Sequence, residues 1–112
     1  MKYLKTFENI DEPQVGDYVA AEEKLSTTKE DLKINNFISN NVGYITDIEE
    51  GRLYRDSLGN KVNTIYIVKY DKYPKGVSSY FDDLFFSKYE IKFWSKNKED
   101  VEAYLNAKKY NL

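Results

Sequence analysis

A chain of 112 residues with 41% apolar and 16% aromatic side chains can build one domain with its own core, and is too apolar for disorder despite 32% charged residues. It has no cysteine and no histidine, which removes disulfides, thiolate chemistry, serine–histidine catalysis and the commonest transition-metal ligand. The net charge of −2 joins an acidic stretch, residues 1–60 with 7 basic and 12 acidic side chains, to a remainder with 10 and 7, short of the basic excess typical of phosphate-binding proteins.

Residues 1–13 carry Tyr3, Leu4, Phe7 and Ile10 at mixed spacings and stop at Pro13, which biases Glu12 towards extended geometry; they read as an N-terminal arm packed on the body. No apolar stretch follows Lys2 and Lys5, so the start is no signal peptide. The longest apolar run, Ile65 to Val68, is far too short for a membrane span, and a cytoplasmic protein is expected. VGDYV, residues 15–19, has strand composition, with Gly16 and Asp17 as its tight entry. Residues 28–39 read as a short helix: Thr27 with Glu30, or Thr28 with Asp31, forms a capping box, Leu32, Phe37 and Ile38 give a rough apolar stripe, and Asn40-Asn41 ends it.

From Val42 the apolar period switches to two. VGYITDIEE, GRLYRDS and VNTIYIVKYD read as three successive strands, divided by turns at Glu50-Gly51 and Leu58-Gly59-Asn60. In the third, Val62, Thr64, Tyr66 and Val68 share one face and Ile65 and Ile67 the other, the mark of a central strand covered on both sides. A loop with Pro74 and Gly76 leads to an aromatic cluster, and YEIKFW places Tyr89, Ile91 and Phe93 on one side of a last strand. A helix over 97–109 follows, capped by Ser95 or Asn97, with Glu99 and Asp100 in its first turn and Lys108 and Lys109 in its last. Val101, Tyr104 and Leu105 form its inward stripe, and Trp94 at the junction anchors it.

Gly16-Asp17-Tyr18-Val19, then Val42-Gly43-Tyr44-Ile45-Thr46-Asp47-Ile48, then Tyr66-Ile67-Val68-Lys69-Tyr70 resemble the opening strands of small SH3-like barrels over residues 14–71. The resemblance implies a mainly β (α+β) fold: an SH3-like barrel of five to six strands with an inserted helix at about 28–39 and a C-terminal helix at about 97–109. The domain scheme is a single unit, 1–112, with the arm at 1–13, the barrel at 14–94 and the helical end at 95–112. The ending IKFWSKNKEDVEAYLNAKKYNL is similar to those of small tailed-bacteriophage proteins, and the 15 lysines to 2 arginines suit an AT-rich bacterium or its viruses.

Candidate chemistry is sparse. Asp82-Asp83 beside Glu90 is the nearest thing to a carboxylate pair, but neighbours on a strand point to opposite faces, so a solvated turn is the better reading. No metal-ligand spacing and no phosphate-cradling glycine pattern occurs, and no cofactor is expected. The segment 69–81 interleaves Lys69, Lys72 and Lys75 with Tyr70, Tyr73, Tyr80 and Phe81, a composition that suits a protein contact, or stacking of bases between phosphate contacts. Tyr70, Lys72, Tyr73, Lys75 and Tyr80 are therefore the candidate binding residues. Against them stands the reading of Tyr70 and Phe81 as core, with lysines that only solubilise a loop. The expectation is a non-catalytic protein-binding module, a viral accessory protein engaging or inhibiting a host protein. A nucleic-acid-binding barrel is the alternative, and a carboxylate-based enzyme a distant third.

Overall fold

The computed structural model describes residues 12–23, 29–71 and 83–109. Its elements run β1 (Tyr18–Ala21), α1 (Lys29–Asn40), β2 (Gly43–Arg55), β3 (Lys61–Lys69), β4 (Leu84–Phe86), β5 (Ile91–Ser95) and α2 (Lys98–Lys109). The strands form one antiparallel sheet in the order β4-β3-β2-β1-β5. The expected arm, residues 1–13, lies outside the described residues up to position 11.

The sheet is open, with no β4–β5 ladder among the described residues, and of the expected architecture the α+β fold with one five-stranded antiparallel sheet and two helices is present. The sheet is nevertheless strongly curled. β4 and β5 lie on opposite edges yet are joined by residues 87–90 alone, a turn closed by Glu90 N donating to Ser87 O at 3.1 Å. A flat sheet of this width spans roughly 19 Å, whereas such a turn brings its ends within about 7 Å. Only curvature reconciles the two.

The two VG segments need glycine for different reasons. Gly16 has φ 94°, and the turn it completes is clamped by Asp17, whose Oδ2 accepts from Gln14 N at 2.7 Å while Oδ1 pairs with Lys96 Nζ at 2.8 Å. Reciprocal bonds, Gly16 N to Ile45 O at 3.0 Å and Ile45 N to Asp17 O at 2.9 Å, then lock this turn to β2. At Gly43 the requirement is room: a Cβ there would lie 2.4 Å from Val68 Cγ1 and 2.9 Å from the Tyr70 ring.

Residues 43–55 are one strand, where the sequence suggested two parted by a turn at Glu50-Gly51. Glu50 faces Thr64 and Tyr54 faces Val62, so Gly51, Arg52 and Leu53 bulge out against a single partner position. Gly51, at φ 94°, absorbs that bulge. The expected turn at 58–60 is present, with Gly59 at φ 91° and Asp56 Oδ1 accepting from Leu58 N and Asn60 N. β3 is interior, between β2 and β4.

A bulge in β5 overturns the reading of YEIKFW. Tyr89 belongs to the turn, and pairing passes from Ala20–Phe93 to Ala21–Ile91, leaving Lys92 as the extra residue. The alternation slips there by one position. Ile91 and Trp94 consequently join the main core, while Phe93 faces α2 and stacks on Tyr104 with ring centroids 4.9 Å apart. Phe93 is thus the ring that stacks on the C-terminal helix, and Trp94 packs against the main core.

The main core gathers Val19, Ala21, Ile45, Tyr66, Val68, Leu84, Phe86 and Ile91 from the sheet with Ile34 and Ile38 from α1. The inward stripe of α1 therefore runs through Ile34 and Ile38 with Phe37 beside them, and Leu32 is exposed. Asn40 and Asn41 do end α1, their Nδ2 groups donating to the carbonyls of Asn36 at 2.7 Å and Phe37 at 2.8 Å. In α2, Val101 is fully buried with Tyr104 and Leu105 half-buried beside it. Ser95 Oγ accepts from Asn97 N and donates to Asp100 Oδ2 at the start of α2. No helix among the described residues is long and apolar enough to cross a membrane.

Candidate binding surface

Of the Lys/Tyr set, Lys72, Tyr73, Lys75 and Tyr80 lie outside the described residues. Tyr70 is a core residue, 6% exposed, its ring edge-on to Phe37 with centroids 5.2 Å apart. Beside it a groove of about 440 Å³ opens between the end of α1 and the start of α2. The Lys98–Asp71 ion pair, 3.8 Å long, holds opposite charges at that groove's wall.

The carboxylates sort differently from the sequence expectation. Asp82 lies outside the described residues, and exposed Asp83 pairs with Lys69 at 3.8 Å. Glu90 is only 1% exposed and engages residues far away in sequence. Its Oε1 accepts from Ser87 N at 2.7 Å, and its Oε2 from Ser57 N at 3.1 Å and from the Ser57 hydroxyl. The Ser87 hydroxyl donates to Asp56 Oδ2 at 2.5 Å, so two carboxylates are joined through one serine. Burial pulls the Asp56 carboxyl upward, but donors from Ser87, Asn60 and Leu58 outweigh it and hold the group below the ordinary 3.8.

This cluster superficially offers a serine beside a base. Ser87 is fully buried, however, so no substrate reaches its hydroxyl, and the Glu90 oxygens are already occupied by hydrogen-bond donors. Its work is mechanical: it pins the β2–β3 hairpin tip to the turn between β4 and β5. Among the described residues no three carboxylates converge to hold a metal ion.

A second groove, of about 400 Å³, lies beside the β2 bulge. Its apolar lining comes from Leu53, Val62, Tyr66 and Tyr89, and Lys61 and Lys88 stand at its sides. Leu53 is 81% exposed and Tyr89 48%, a large apolar area to leave in water. The Tyr66 phenol, at the inner wall, donates to Glu12 Oε1 at 3.4 Å. Burial first, then the Glu12 and Glu50 carboxylates, push that phenol up to about 12, so it stays protonated and can act as a donor. Lys88 Nζ sits 5.4 Å over the Tyr89 ring, and Lys92 Nζ bonds the Tyr89 carbonyl at 3.0 Å, so positive charge collects around Tyr89. Neither Lys61 nor Lys88 has a carboxylate partner within 4 Å among the described residues, unlike Lys69, Lys96, Lys98 and Lys108.

Sequence reasoning missed this groove because it read Gly51 as a turn. The available signal was that GRLYR breaks strict alternation, with Leu53 and Tyr54 adjacent. Scanned against protein-family models, curated proteins and solved structures, the chain gives no significant match to any of them.

Proposed function

We propose that the chain is a non-catalytic protein-binding module on an SH3-like barrel scaffold, and that it takes an acidic segment carrying an apolar anchor side chain. The strand order and the curl forced by residues 87–90 support the barrel reading. The observation that carries the binding reading is the groove itself, with Leu53 at 81% exposure beside Tyr89 and two lysines that have no carboxylate partner among the described residues. An apolar anchor buried there gains the area term, and the lysines select a partner of opposite charge. In keeping with the resemblance to small phage proteins, the partner is a host protein.

Panning a displayed random-peptide library on the full chain tests this. Enriched peptides are expected to pair Asp or Glu with a large apolar residue, and Lys61→Glu with Lys88→Glu is expected to abolish their capture without changing the far-UV spectrum. Capture of oligonucleotides in place of acidic peptides, with affinity falling steeply as salt rises, would establish the nucleic-acid alternative instead.

A further inference from the structure

Among the described residues, β2 has a long edge without a partner strand. β1 pairs with it only at Tyr18–Tyr44 and Val19–Gly43, and the Gly16 and Asp17 bonds extend that contact to Ile45. Among the described residues, β2 from Asp47 to Arg55 pairs with β3 alone. An exposed strand edge is a template for another strand, and charges or bulges on it commonly serve as guards against that. Here the charges have an order that plain guarding does not require.

Residues 47–55 read DIEEGRLYR, acidic before Gly51 and basic after it. We infer that this edge pairs with the same edge of a second copy of the chain, antiparallel, about a two-fold axis through Gly51. That register sets Asp47 against Arg55 of the other copy, Glu50 against Arg52, and Ile48 against Tyr54, each pair occurring twice. A shift of two residues one way places Glu50 opposite Glu50, and two the other way places Arg52 opposite Arg52. Parallel in-register pairing opposes like with like throughout. Opposite charges across strands stabilise and like charges repel, so one arrangement is selected over its neighbours. The interface is self-complementary, as a two-fold dimer requires.

The centre of the edge suits close approach. Gly51, at φ 94°, opens the bulge there, and a Cβ built on it meets nothing within 4 Å, so no neighbouring group of the same copy crowds the axis. The basic residues stay on the surface: Arg52 lies 5.5 Å over the Tyr54 ring, and Arg55 spends one nitrogen on Gly59 O at 2.9 Å with other donors left.

The pairing does not depend on the lysine-flanked groove, and its test uses other residues. Sedimentation equilibrium of the full chain at sub-millimolar concentration is expected to show a monomer–dimer equilibrium. Glu50→Arg alone and Arg52→Glu alone are each expected to weaken dimerisation about tenfold, because two attractive pairs become repulsive. Mixing the two single variants is expected to restore dimers, since each then presents the charge that the other lacks; the double variant carrying both reversals is expected to dimerise like the parent. A parent that stays monomeric, or single variants that dimerise as tightly as the parent, overturns the inference.

Discussion

The two faces of the sheet are covered unequally. Towards α1 lies a continuous cluster from Val19 and Ile45 through Tyr66 and Val68 to Phe86, all at or near complete burial. Towards α2, Ala20 and Val101 are buried, and the rest is a stack between two half-buried rings, Phe93 and Tyr104. Stability should therefore reside in one face, while the other is an overlay that can be trimmed. The same division explains why Phe85 and Tyr44 remain exposed beside a well-filled interior.

Two phenylalanines sharpen this contrast most. Phe86→Ala is expected to cost about 3–5 kcal/mol in urea denaturation, enough to unfold a marginal domain. Phe93→Ala removes the same atoms from a half-buried stack and should cost roughly 1–2 kcal/mol. Equal costs would show that α2 is as integral as α1.

Two glycines come next. Gly43→Ala drives a methyl group into Val68 within the filled face, and should lose roughly 2–3 kcal/mol. At Gly16, where a Cβ would make only ordinary contacts with Lys96 Nζ and Tyr44 Oη at 3.9 Å and the positive φ is what resists, Ala should cost about 1 kcal/mol. If the ranking reverses, backbone strain outweighs packing on this scaffold.

The smallest effect lies at the curled end. Asp56 titrates below its unfolded value of 3.8, so its contribution is fully present above that pH and is lost as acidity carries it through the lower folded value. Thermal melts of the parent should fall as the pH is taken below about 4. Asp56→Asn should start lower at neutral pH and show a shallower acid limb; an unchanged limb would assign the acid response to other carboxylates.

Both helices, the asparagine stop of α1, the turn at 58–60 and the interior place of β3 were legible, because each is written in local periodicity or turn chemistry. The bulges at Gly51–Leu53 and at Lys92 were not, since one extra residue inverts an alternation without changing composition. The sparse stripe of α1 favours Leu32 over Ile34 for the core, because it leaves the helical phase ambiguous within one turn. The Asp56–Ser87–Glu90 bridge joins positions far apart in sequence, and nothing local announces it. For the binding surface, the lysine–tyrosine spacing drew attention to 69–81, whereas the open groove is made by Leu53 and Tyr89 from separate elements.

β1 sits between β2 and β5, and its last pairing matches Ala21 with Ile91. On the ribosome β1 is made well before β5, the strand that seals its outer side. During that interval β1 and the finished β2–β3 hairpin form an incomplete sheet with an uncovered edge, the kind of surface that invites association between nascent chains. Emergence of β5 is thus the step that completes the sheet. Moving β5 ahead of β1 by circular permutation would convert this slow closure into a local hairpin and should speed refolding.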